Sequence, residues 1–165
     1  MDALEDSGPD LFNSTLELGI RAVALLEKLR PRSVSLSDLV VLDHLVVHTG
    51  DIHGPPSLHP AVPERKGELL VHRALLQRAL DLMQRCHLVS ETATEAGLFY
   101  GASDEAAAYL DVLQSDYSQC LIERASWLAT EFKSRGREEF SALVREQVGD
   151  WTSAFLKPRA PGTLL

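Results

Sequence analysis

Two short pieces, Leu88 to Ala93 and Leu98 to Ala102, are rich in Val, Thr, Phe and Tyr and are joined by Thr94-Glu95-Ala96-Gly97, whose length and glycine suit a β-hairpin. The segments on either side of them carry the period of a helix. A chain with this pattern can build one hairpin, and its core must come from helices packing on each other and on that hairpin.

Three helical segments precede the hairpin. From Ser14 to Arg30 the polar residues Glu17, Arg21 and Lys28 fall on one stripe, Leu16, Ile20, Val23, Leu26 and Leu29 cover the rest, and Pro31 stops the run. Leu36 to His48 begins behind the cap candidates Ser35 and Ser37. Its Val40, Val41, Val46 and Val47 favour strand, but thirteen residues without a turn signal exceed ordinary strand length, so the segment reads as a helix. Glu68 to Cys86 sets Val71, Leu75, Ala79, Leu82 and Cys86 on one face and Arg73, Gln77, Asp81 and Gln84 on the other. Three helices followed by a hairpin is the order of a winged helix. The expectation is therefore a mainly α chain with a winged-helix-like domain over residues 14–102.

A C-terminal extension of about three helices should occupy residues 103–156. Ser103 caps a helix running to about Leu113, Ser115 introduces Asp116 to Arg135, Gly136 closes that helix, and the last covers Glu138 to Leu156. Residues 1–13 and 157–165, acidic or broken by Pro and Gly, read as tails.

At 165 residues the chain is about one domain, and its 45% hydrophobic and 24% charged content is that of an ordinary globular protein. Sixteen basic against twenty-four acidic side chains give a formal charge of −8, a field that repels phosphate unless a local face is basic. Apolar runs reach five residues, as at Ala22 to Leu26, against the ~20 needed to span a bilayer. The acidic N-terminus is unlike a secretory signal, so a cytoplasmic protein is expected. Cys86 and Cys120 read as isolated, buried thiols without a disulfide.

Thr49 to Lys66 holds Gly50, Gly54, Pro55, Pro56, Pro60 and Pro63, too many breakers for a regular element. Long loops in compact domains are often functional. This one lies next to His44 and His48, four apart on a helix, and itself holds Asp51, His53 and His59, ligand types that suit zinc. No established ligand motif such as H-E-x-x-H accompanies them, and a polar stripe near a helix end accounts for the histidines as well. No G-x-S-x-G elbow and no G-x-x-x-x-G-K loop is present, and Asp43 beside His44 is weak ground for a catalytic pair. Neither metal, cofactor nor catalytic residues are expected.

DNA binding would use the third helix, where Arg65, Lys66, Arg73, Arg78 and Arg85 gather. Residues 64–102 nevertheless hold five bases and five acids, and the hairpin has Glu91 and Glu95 with no Lys or Arg. A small winged-helix transcription regulator therefore stands as the alternative reading. Trp127 lies outside the main apolar stripe of its helix, and with Trp151 and Phe155 it would anchor a partner if exposed.

Several runs bear a more specific likeness. Leu11-Phe12-Asn13-Ser14, Leu42-Asp43-His44 with His48-Thr49-Gly50-Asp51, Gly54-Pro55-Pro56-Ser57-Leu58-His59-Pro60 and Gly67-Glu68-Leu69-Leu70-Val71 resemble the middle component of bacterial ABC-three-component systems, which includes the small subunit of Lamassu-type anti-phage systems. The resemblance continues through Leu113-Gln114-Ser115-Asp116-Tyr117 and Arg124-Ala125-Ser126-Trp127-Leu128, and covers residues 11–135. It implies a non-catalytic winged-helix subunit joining an SMC-like or AAA-type ATPase to an effector, a nuclease in the Lamassu case, with DNA touched only inside the assembled complex. On that reading the partner-binding candidates are Asp51, Pro55, Pro56, Leu58, His59 and Arg65 on the proline-stiffened loop, Arg73 on the third helix and Trp127 on the extension.

Overall fold

The computed structural model describes residues 14–60 and 66–148. Arg65, Trp151, Phe155, the tails expected over residues 1–13 and 157–165, and the part of the expected last helix beyond Val148 lie outside the described residues. Five helices surround one hairpin: α1 (Thr15–Leu29), α2 (Leu36–Val47), a short 3-10 helix (Thr49–Ile52), α3 (Lys66–Arg85), β1 (Val89–Thr94), β2 (Gly97–Ala102), α4 (Ala106–Asp111) and α5 (Asp116–Val148).

Helix α1 is the centre of the core and packs against α2, α3, α4, α5 and β2. The Ser14 hydroxyl accepts from the Glu17 N–H at 3.2 Å to cap its start. At its end, Lys133 of α5 donates to the Lys28 carbonyl at 2.9 Å, a cation placed on the negative end of the helix dipole. At Gly19 α1 lies close against α3, and an added Cβ would run into the Met83 methyl. The polar stripe expected on α1 is only partly real, because Arg21 is buried.

Helix α2 shows tertiary context overriding strand propensity. Val40, Val41, Val46 and Val47 are all buried, since α1, α3 and α5 together cover nearly the whole circumference of α2. The core face of α3 is rotated from the expected one, with Ala79 buried and Leu75 and Leu82 packed on the core as expected. Leu76, Ala79, Leu80 and Met83 are buried, while Val71 is 61% exposed and Cys86 is exposed. Cys86 lies at the helix end, where His87 turns left-handed (φ 61°) and the Leu88 N–H reaches the Met83 carbonyl at 2.9 Å, a Schellman ending. Cys120 is only half-buried, so neither thiol has the buried environment expected of it.

The expected hairpin forms, but Thr94 and Gly97 pair with each other, so a two-residue turn replaces the four-residue loop expected there. Gly97 has φ 125°, a backbone conformation L side chains rarely adopt. Tyr100 of β2 is buried and exchanges two backbone hydrogen bonds with Val34, 2.8 and 2.9 Å, so the link between α1 and α2 adds a third short rung.

Beyond the hairpin, Ser103 does not cap α4. Its hydroxyl donates to the His87 carbonyl at 2.5 Å, tying the exit of β2 to the end of α3, and α4 is shortened to six residues. Ser115 does cap α5, accepting from the Ser118 N–H at 3.1 Å. Gly136 (φ 78°) divides α5 into two arms, as its position predicted. Leu121, Ala125, Leu128 and Phe132 of the first arm and Phe140 and Val144 of the second join the same core, and the Phe132 and Phe140 rings meet edge to face at 5.2 Å. No described helix is long and apolar enough to cross a membrane.

Candidate functional site

Asp43 sits mid-helix in α2 among Val40, Val41, Leu42, Leu45 and Val46, where an ionised carboxylate must find its partners within the protein. It finds two. Arg21 of α1 grips it in a bidentate fork, Nε to Oδ1 at 2.9 Å and Nη2 to Oδ2 at 2.7 Å, and His72 of α3 donates its Nε2–H to Oδ2 at 2.7 Å. Arg21 is 1% exposed and Asp43 0%. Burial alone would raise the Asp43 pKa. The Arg21 charge and the hydrogen bonds from His72 and Arg21 outweigh burial and hold the carboxyl well below the usual carboxylate range. On Arg21 burial pulls downward, and the charge of Asp43 overcomes it to raise the pKa. One ionic cluster thus joins the three central helices.

A chain of rings leads outward from this cluster. His44 and His48 lie 4.5 Å apart between centroids, His48 meets His59 edge-on at 6.2 Å, and His59 stacks beside Tyr117 of α5. His59 Nε2 and the Tyr117 hydroxyl share a 2.7 Å hydrogen bond. Burial, helped by the charges of Arg21 and His48 and opposed by Asp43, pushes the His59 pKa down to about 4. Burial also pushes the Tyr117 hydroxyl up. Both rings are therefore neutral near pH 7.

The loop after α2 is built onto this support. Its segment from Thr49 to Pro60 is hydrogen-bonded throughout. The Leu58 and His59 N–H groups both donate to the Val47 carbonyl, Thr49 Oγ1 donates to the Pro55 carbonyl at 2.7 Å, and the Gly50 N–H donates to Ser57 Oγ at 3.0 Å. From α5, the Arg124 guanidinium donates to the Pro56 carbonyl at 3.0 and 3.3 Å. The outer edge of the Trp127 indole comes up to Gly54, where an added Cβ would stand 2.5 Å from it. Only glycine lets that ring approach the backbone so closely.

The predicted partner residues divide accordingly. Asp51 and Pro56 are exposed. Pro55, Leu58, His59 and Trp127 are half-buried, with Leu58 and Trp127 packed on the core. Arg73 lies elsewhere, its Nη1 donating to Ser37 Oγ at 3.0 Å. Most of the histidines and acids weighed as a metal site stay near one another but turn to different partners: His44 Nε2 stands 3.8 Å from Asp51 Oδ2, His59 turns to Tyr117, and His53 is exposed in a left-handed turn. Among the described residues no group of three or more His, Cys, Asp or Glu is placed to hold a metal. Sequence reasoning missed Arg21, His72 and Tyr117. The available signal was Asp43 itself, an acid with aliphatic residues on every side.

Comparison with known families gives a direct result. The model of the ABC-three component (ABC-3C) system Middle Component 2 family matches residues 11–154. The chain belongs to that family. No curated protein and no solved structure matches it. As a middle component of a three-component system, this chain works with protein partners. Several residues of the runs that carried the resemblance also meet in space: His59 of the loop lies against His48 and bonds Tyr117 of α5, the Arg124 guanidinium donates to the Pro56 carbonyl, and Trp127 closes on Gly54.

Proposed function

We propose that this middle component is a non-catalytic bridging subunit of a bacterial anti-phage defence complex, holding an SMC-like ATPase and an effector nuclease in one particle, as in Lamassu-type systems. The family match over residues 11–154 carries this reading. The titratable groups support it, because Asp43 is held by Arg21 and His72 inside the core and His59 is engaged with Tyr117, so these side chains hold the helices and the loop in place. Helix, bridge strand, two helices and hairpin, followed by a helical extension, is the layout of a winged-helix adaptor, and we assign the fold to that class. The chain works in the cytoplasm and its own side chains make or break no bond.

The regulator reading is the weaker one. The outward stripe of α3 offers Arg78 and Arg85 to a groove, but the hairpin that would grip phosphate has no cation. The test is purification of the tagged full chain expressed with its neighbouring genes. The expected result is an ATPase and an effector in the eluate. Recovery of the chain alone, bound to duplex DNA in a salt-sensitive manner, would overturn the reading.

A further inference from the structure

The two edges of the hairpin are treated differently. Tyr100 of β2 exchanges backbone hydrogen bonds with Val34 at 2.8 and 2.9 Å, and the Ala102 carbonyl accepts from the Arg30 guanidinium at 3.0 Å, so the β2 edge is closed where it meets the body. In an antiparallel ladder the two residues of a wide pair turn their N–H and C=O groups away from each other. Tyr100 turns its groups to Val34 and stands opposite Glu91, so the Glu91 N–H and C=O point outward from β1. The same alternation turns those of Ala93 outward. Neither residue's backbone finds a hydrogen-bond partner among the described residues. Five of the six β1 residues are exposed.

Natural sheets guard an open edge with Pro, Lys, a bulge or a covering segment. Residues 89–102 hold no Pro, Lys or Arg, and the six pairs from Val89 with Ala102 to Thr94 with Gly97 run without a bulge. The one charge within β1, Glu91, is drawn toward α3, where Gln84 Nε2 donates to its carboxylate at 2.9 Å. Outward donors and acceptors on alternate residues specify their occupant, because another extended backbone offers the matching groups at that spacing. Nucleic acid is repelled by Glu91 and Glu95, and a second copy of this chain would bring the same glutamates and a charge of −8 to a body of −8. A Lys or Arg on an incoming strand instead forms an opposite-charge cross-strand pair with Glu91. We propose that β1 takes an extended segment of a partner subunit as an added strand, with a Lys or Arg of that segment beside Glu91. This rests on the bridging reading and assigns one of its contacts to the hairpin.

The test uses the full chain co-expressed with its partner subunits. Ala93→Pro removes the outward N–H and leaves the β1–β2 hydrogen bonds, since Ala93 gives none to β2. The expected result is loss of one subunit from the copurified particle by about tenfold or more with the other retained, and Glu91→Lys should weaken the same subunit by about threefold. A thermal melt reports whether each variant keeps the fold. Backbone amide exchange of the wild type needs no variant. In the isolated chain Glu91 and Ala93 should exchange fast while Thr92 is protected by β2, and in the complex both should slow by about tenfold or more. Retention of both subunits by folded Ala93→Pro, or unchanged exchange at Glu91 and Ala93 in the complex, overturns the proposal and leaves the bridging reading standing. Slow exchange of both amides in an isolated chain of doubled mass overturns it in favour of a self-contact. A wild-type chain that recovers no subunit at all contradicts the bridging reading, and the strand addition with it.

Discussion

The inner face of this molecule and the face around α4 treat charge in opposite ways. Around Asp43 the carboxylate is matched by a guanidinium and an imidazole at hydrogen-bond distance, with water excluded. Around α4, Glu105 and Asp111 are exposed and without ion-pair partners among the described residues. Charges of the first kind fix how α1, α2 and α3 sit together and hold the loop-bearing end of α2 in place. Those of the second kind contribute little to folding and remain available to another molecule. The contrast separates residues that make the shape from residues that use it.

The largest effect should come from breaking the inner cluster. Asp43→Ala leaves Arg21 buried without its partner and should cost about 3–5 kcal/mol, read as a fall in denaturation midpoint. Replacing both partners, Arg21→Met with Asp43→Leu, should recover most of that loss, because an apolar pair of similar volume leaves no buried charge. A double variant as unstable as Asp43→Ala would break this half of the comparison.

Next comes Gly54→Ala, which drives a methyl into Trp127 and the Thr49 carbonyl and should cost about 1–3 kcal/mol. Shortening the indole in the same chain, Trp127→Leu, should relieve part of it. Gly97→Ala meets open space but a left-handed backbone, so about 1 kcal/mol is expected there. Smallest is Glu105→Lys/Asp111→Lys, within about 0.5 kcal/mol of wild type by thermal melt, as befits solvated positions. A large loss there would place those acids with the inner set.

The pH dependence sharpens the same division. His59 has a folded pKa near 4 against an ordinary 6.5, so the unfolded chain binds the proton more readily. Stability is therefore complete above about pH 6.5, falls as pH drops from there toward 4, and levels off below. Asp43, whose folded pKa is depressed, adds its own loss at lower pH, below the ordinary carboxylate value of 3.8. His59→Gln should flatten the upper window and leave the lower one, as followed by urea midpoints across pH.

Much of the fold was legible because it rests on local signals. The Ser35 and Ser115 caps, the hairpin turn before Gly97 and the break at Gly136 each act within a few residues of sequence. What stayed hidden depends on distance along the chain. Arg21 meets Asp43 across 22 residues and Asp43 meets His72 across 29, so spacing within a helix made Arg21 look solvated. The face of α3 was only partly legible for the same reason: Ala79, Leu75 and Leu82 meet the core as expected, but α1 and α2 cover the Leu76–Met83 side and leave Val71 and Cys86 exposed. The loop was recognised as special from its prolines. That Leu58 and His59 turn inward while Trp127 and Arg124 clamp its outer bend required the position of α5.

The central claim is that this chain joins two other proteins. Native mass spectrometry of the co-expressed system, with and without this gene, tests it most directly. The account predicts a particle containing ATPase, effector and this chain when the gene is present, and separate ATPase and effector species when it is deleted. An ATPase–effector particle of undiminished abundance in the deletion would contradict it.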